Sequence, residues 1–127
     1  MGTFVLNSCS TTDLINQLGG KEWNVKSIKG KTLTANDLAN GTPSLNFSDN
    51  GKLFGSTGCN TFAGSYKLSG TSMSLEPGSM TKMFCPERTE QDFLKAINKV
   101  TNFKMDISTL NLLNGATIVM SLIPKAK

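Results

Sequence analysis

Short strand-like runs broken at asparagine–glycine pairs constrain this chain more than any other feature. Asn50-Gly51 separates Ser44-Leu45-Asn46-Phe47-Ser48 from Lys52-Leu53-Phe54-Gly55, and Asn114-Gly115 separates Leu110-Asn111-Leu112-Leu113 from residues 117–123. Both residue types accept positive φ, so Asn-Gly between short apolar-bearing runs marks a β-hairpin. Ser69-Gly70 sits the same way between residues 62–68 and 72–75, where Met73 and Leu75 keep a period of two. With residues 21–28 and 103–107 added, the count reaches about eight strands, the number that closes a small barrel. The expected fold class is mainly β: an antiparallel meander, barrel-like and of lipocalin-like topology.

One segment departs from this pattern. Between residues 86 and 100, Phe93, Leu94, Ile97 and Val100 fall on one face of a helix. Thr89 followed three residues later by Asp92 resembles a capping box, although Pro86 with Glu87 and Glu90 fits an earlier start equally well. The polar face mixes Glu87, Arg88, Glu90, Asp92, Lys95 and Lys99, which suits packing on a sheet better than lying on a membrane. A helical turn is expected over residues 12–18, ended by Gly19-Gly20, and an exposed loop over residues 36–43.

At 127 residues the chain is long enough for one domain with a core of its own. Its formal charge of +4 comes from scattered basic residues, all lysine except Arg88. No basic run is interleaved with aromatics, so nucleic acid is not an expected partner. A monomer is expected.

The chemistry is sparse. There is no histidine, which excludes Ser-His-Asp and Cys-His catalysis and histidine-based metal sites. Cys9, Cys59 and Cys85 lack the spacing of a structural zinc site, and no metal or cofactor is expected. Cys59, in a Gly-rich turn, lacks a base to activate it. Asp49, Glu76, Glu87, Glu90, Asp92 and Asp106 offer carboxylates, but no spacing selects a hydrolytic pair. No catalytic residue is assigned. In Gly58-Cys59-Asn60 the glycine permits a sharp turn and the asparagine side chain can bond nearby backbone, so the expected role is architectural. Trp23 and Tyr66 either fill the core or line a ligand cavity.

Leu6-Asn7-Ser8-Cys9 resembles the end of a bacterial lipoprotein signal, whose cysteine becomes the lipidated first residue. On that reading residues 1–17 form a tail carrying lipid at Cys9, and residues 18–127 form the domain. Three cysteines is an odd number, and a lipid-bearing Cys9 accounts for the odd one. Cys59 and Cys85 are then either a disulfide or two buried free thiols.

The block Gly55-Ser56-Thr57-Gly58-Cys59-Asn60-Thr61-Phe62-Ala63-Gly64-Ser65-Tyr66, with Thr81-Lys82-Met83-Phe84-Cys85-Pro86 and Leu18-Gly19-Gly20-Lys21-Glu22-Trp23, resembles META/HslJ-like domains. Gly58, Cys59, Asn60, Thr81, Met83 and Cys85 are its specific part. The resemblance implies a barrel-like antiparallel domain with a helix, found in bacterial envelope proteins, where the relative called HslJ is associated with heat shock and antibiotic tolerance. It transfers no catalytic residues. The function expected is a non-enzymatic, lipid-anchored envelope protein, facing the periplasm or on the outer-membrane surface. It would act in stress response or envelope upkeep by binding an envelope protein or a small ligand. The alternatives are a lipocalin-like small-molecule carrier and a hydrolase with an unrecognised acid pair.

Overall fold

The computed structural model describes residues 17–125; Cys9 and most of the expected N-terminal turn lie outside them, while Gln17 and Leu18 are helical. The strands are β1 (Trp23–Ile28), β2 (Lys31–Thr32), β3 (Ser44–Phe47), β4 (Lys52–Ser56), β5 (Thr61–Ser69), β6 (Ser72–Met80), β7 (Asn102–Asp106), β8 (Thr109–Asn114) and β9 (Thr117–Pro124), with helix α1 (Thr89–Lys99) between β6 and β7. Every pairing is antiparallel. Along one edge β1 pairs with β9 from Trp23 to Ile28. The same residues meet β3 at Trp23↔Leu45 and β2 at Ser27↔Thr32, which must therefore share the opposite edge. The sheet thus returns on itself as a ring, and β2 is a two-residue appendage to it. That appendage is the strand beyond the expected eight.

Turn chemistry sets the registers. Ser69↔Ser72 and Asn114↔Thr117 are the last pairs of their hairpins, so the two-residue loops are Gly70-Thr71 and Gly115-Ala116, with glycine first at φ +60° and +63°. Asn114 is consequently the last residue of its strand rather than part of the turn. Between β3 and β4 the loop is longer, and Gly51 at φ +74° closes it while Ser48 N–H donates to the Lys52 carbonyl.

Side chains alternate as the pleat requires. On β5, Phe62 and Tyr66 point inward while Thr61, Ala63, Ser65 and Lys67 are exposed; Met73 and Leu75 on β6 and Leu110 and Leu112 on β8 repeat the pattern. Trp23, Leu45, Leu53, Leu110, Met120 and Leu122 fill the ring. Each such side chain contributes about 1.5–3 kcal/mol by leaving water. Phe47 and Tyr66 meet edge to face at 5.1 Å, and the Tyr66 hydroxyl donates to the Ser48 carbonyl at 2.5 Å. Burial, with the negative charge of Asp49 nearby, pushes the Tyr66 phenol above its ordinary pKa.

The ring has one thin seam. β6 and β7 share only the pair Ser72↔Asn102, supported by Met73 N–H to the Thr101 carbonyl and Phe103 N–H to the Thr71 carbonyl. Helix α1 connects these strands and packs against β6, β1 and β9, burying Phe93, Ala96 and Ile97, with Phe93 set 5.9 Å from Phe62. An unpaired strand edge invites pairing with other chains. Here Pro77, which has no N–H, and Gly78 at φ +68° lie where the β5–β6 register shifts opposite Gly64, and together they bend and blunt that edge.

Candidate functional site: a strap tied to the central turn

The central turn joins β4 to β5. Thr57 N–H donates to the Asn60 carbonyl at 2.8 Å, and the Thr57 hydroxyl oxygen accepts from the backbone N–H of Cys59 at 3.1 Å and of Asn60 at 2.8 Å. Gly58 makes this tight path possible at φ +92°; a Cβ there would lie 3.2 Å from both Pro43 and Thr89. The turn is therefore wedged beneath the 36–43 loop and the start of α1.

Asn60, only 3% exposed, reaches from this turn to the strap, residues 81–86, that follows β6. Its Nδ2 donates to the Met83 carbonyl at 3.1 Å, while its Oδ1 accepts from Met83 N–H at 2.6 Å and from the Thr81 hydroxyl at 2.9 Å. The side-chain amide thus pairs with Met83 as a neighbouring strand's peptide would. Nδ2 also donates to Glu90 Oε1 at 2.8 Å, and the same oxygen accepts from the Thr57 hydroxyl at 2.5 Å. Cys59 and Cys85 are bonded, with Cα atoms 6.0 Å apart, so the bridge and Asn60 fasten the strap on either side of Phe84. Of the two readings open to these cysteines, the structure shows the disulfide.

The start of α1 is fastened too, but not by the expected capping box. Arg88 occupies the N-cap and makes no side-chain cap bond. Thr89 is instead buried, and its hydroxyl donates to the Asp37 carbonyl at 2.7 Å. Asn40 Nδ2 donates to both Glu87 oxygens, at 2.9 and 2.7 Å, and that bond holds the Glu87 carboxyl below its ordinary pKa. Asp37 is likewise held low, by bonds from the backbone and hydroxyl of Thr34. Half of residues 36–43 are exposed, while Pro43 is buried, and the loop anchors the helix.

Of the residues singled out in the sequence, Gly58, Cys59, Asn60, Thr81, Met83 and Cys85 come together in this one structure. Trp23 and Tyr66 lie apart from it in the core, 1% and 5% exposed, and the Trp23 indole N–H donates to the Leu18 carbonyl at 2.8 Å. Thr57 and Glu90 complete the site and were not foreseen. Thr57 lies inside the Gly55–Tyr66 block, whereas Glu90 stands in the sequence as a helix-start acid, a polar-face residue and an unpaired hydrolytic candidate, none of which points to this tie. Among the described residues, no buried side-chain polar atom lacks a partner and no three potential metal ligands cluster. The arrangement is chemically a tie: Glu90 serves as acceptor for two donors, and Asn60 serves as a peptide surrogate.

Asn60→Ala is expected to cost about 1–3 kcal/mol, because Met83 and Glu90 lose partners in a half-dry site. Asn60→Asp should fare no better, since a carboxylate there would oppose Glu90 and the Met83 carbonyl. Urea melts of both variants check this, and an unchanged midpoint for Asn60→Ala would deny the tie its structural role.

A side-chain-filled antiparallel ring, a helix packed against β6, β1 and β9, and a disulfide-tied strap define a small β-domain of the META type. The META domain model matches residues 16–127, and the chain belongs to that family. No curated protein matches it. Three solved structures share the fold. A protein from Burkholderia xenovorans, solved by NMR, is 18% identical over 98% of this chain and 95% of its own, with a TM-score of 0.65. A crystal structure of a DUF4847 family protein from Bacteroides vulgatus is 15% identical over 90% and 99%, with a TM-score of 0.64. A further NMR structure is 23% identical over 87% and 92%, with a TM-score of 0.63.

Proposed function

We propose that this domain is a non-catalytic binding module held at the bacterial cell envelope by a lipid on Cys9, and that its contact is the tip of the strap. The observation that carries this reading is the exposure of Met83 (61%) and Phe84 (89%) on a segment that is otherwise immobilised. Large apolar side chains on a fixed backbone lose little entropy on binding, which is how a small surface gains affinity. The disulfide supports an oxidising compartment outside the cytoplasm. Stress response or envelope upkeep is the role such a module would serve. The filled ring supports a surface contact over a carrier that holds its ligand inside the sheet.

The test uses the full-length protein with its native leader, carrying a photo-crosslinking residue at position 84 or, as a control, at the exposed Lys67 of β5. A discrete adduct from position 84 and none from position 67 is expected in living cells. Identical patterns from both, or none from either, would sink the proposal for the strap. Separately, Cys9→Ser should move the protein from the membrane fraction to the soluble one, and unchanged fractionation would sink the anchor.

A further inference from the structure

The hairpin between β1 and β2 breaks a local rule. Its two loop residues, Lys29 and Gly30, both have positive φ, +53° and +77°. Such a turn favours asparagine or aspartate before glycine, and a lysine there is strained by its Cβ. Among the described residues the other non-glycine with positive φ, Ile107, stands fully in solvent at a hairpin tip. Lys29 instead borders a cleft of about 570 Å³ between the last turns of α1 and the β8–β9 hairpin.

This cleft has the form of an amphiphile site. Ile118, 46% exposed, supplies the apolar surface, and the buried Ala96 and Val119 form the base beneath it. Lys29 and Lys99 supply two positive charges, and among the described residues neither is ion-paired. Among the described residues no acidic side chain lines the cleft; Asp37 and Asp92 line a separate one of about 220 Å³ that Lys29 also borders. The walls are fixed by Lys29 N–H to the Val119 carbonyl at 3.0 Å and by Asn114 Nδ2 to the Lys99 carbonyl at 2.7 Å. The latter bond occupies one carbonyl at the negative end of the helix, and the charges of Lys29 and Lys99 must offset the rest. The volume lies within the range of small-molecule sites.

We infer that this cleft binds a single-chain aliphatic anion, its head group between Lys29 and Lys99 and its chain on Ile118, above the buried Ala96 and Val119. Lysine at a strained turn position is then explained by charge rather than by folding. The site is separate from the strap.

Decanoate, decanol and acetate, titrated into the isotope-labelled protein and followed by amide chemical shifts, separate the contributions of head and chain. Decanoate should perturb residues 29, 96, 99 and 117–119 and bind at least about tenfold more tightly than either other probe, a factor worth about 1.4 kcal/mol. Lys29→Asn suits the turn, so it should melt no lower than the parent yet bind decanoate about tenfold more weakly. Lys99→Gln should weaken binding similarly. Decanol binding as tightly as decanoate, perturbations centred elsewhere, or full affinity in Lys29→Asn would each overturn the assignment.

Discussion

Gly64→Ala is expected to cost about 3 kcal/mol or more, the upper end of what overpacking does in a protein interior. The reason is contact, not conformation. A Cβ at Gly64 would lie 1.8 Å from the Glu76 carbonyl oxygen and 2.5 Å from the Pro77 carbonyl carbon, both backbone atoms that no rotamer change can move. Gly64 sits where the β5–β6 register shifts, so the two strands must part there for the methyl to fit. Gly55 is in the same position against β3, with the Ser44 carbonyl oxygen 2.1 Å away. Gly70 provides the contrast: nothing lies within 4 Å of its Cβ position, and only its φ of +60° opposes a side chain. Gly70→Ala should therefore cost about 1 kcal/mol. Against a total stability of about 5–15 kcal/mol, the first change endangers folding and the second does not. Urea midpoints for the two variants give the comparison, and equal midpoints would mean that β5 and β6 approach less closely than described.

Removing the Cys59–Cys85 bridge should cost about 3–4 kcal/mol in the chain-entropy model, for the separation of 26 residues that it closes. The Cys59→Ala, Cys85→Ala double variant is expected to fold, because Asn60 still pairs with Met83 and the ring itself does not depend on the bridge. The strap should loosen before the sheet does. Trypsin should then cut after Lys82, which is exposed in the strap, well before it cuts the exposed lysines of the strands. An unchanged melting midpoint together with unchanged resistance at Lys82 would show that the bridge constrains neither the unfolded chain nor the strap.

The local elements of this fold were legible because the signals that create them are local. Asn50-Gly51, Ser69-Gly70 and Asn114-Gly115 all mark real hairpins, and the apolar spacing of Phe93, Ile97 and Val100 marks a real helix. Even there, pairing moved the last two turns by one residue, because the glycine takes the first loop position and its neighbour remains in the strand. The β1–β2 turn is hidden in the sequence because Lys29 stands where asparagine or aspartate would favour positive φ, leaving Gly30 as its one turn signal. The capping box at Thr89 misled for a different reason: a threonine that would cap a free helix was buried, and its hydroxyl took the Asp37 carbonyl instead.

By itself, the sequence determined that strands would pair in a meander, where most turns would fall and which face of the helix would be buried; that Gly58-Cys59-Asn60 and residues 81–85 belong together came from the family resemblance. Turn propensity and side-chain periodicity act over a few residues, so they can be read in order along the chain. Tertiary structure alone decided that β1 would close the ring on β9, and that Asn60 would meet Glu90, 30 positions further along the chain. It also decided that Phe84 would face water while Trp23 and Tyr66 did not. Those outcomes depend on which distant surfaces exclude water together, a property of the packed chain that no short stretch of it contains.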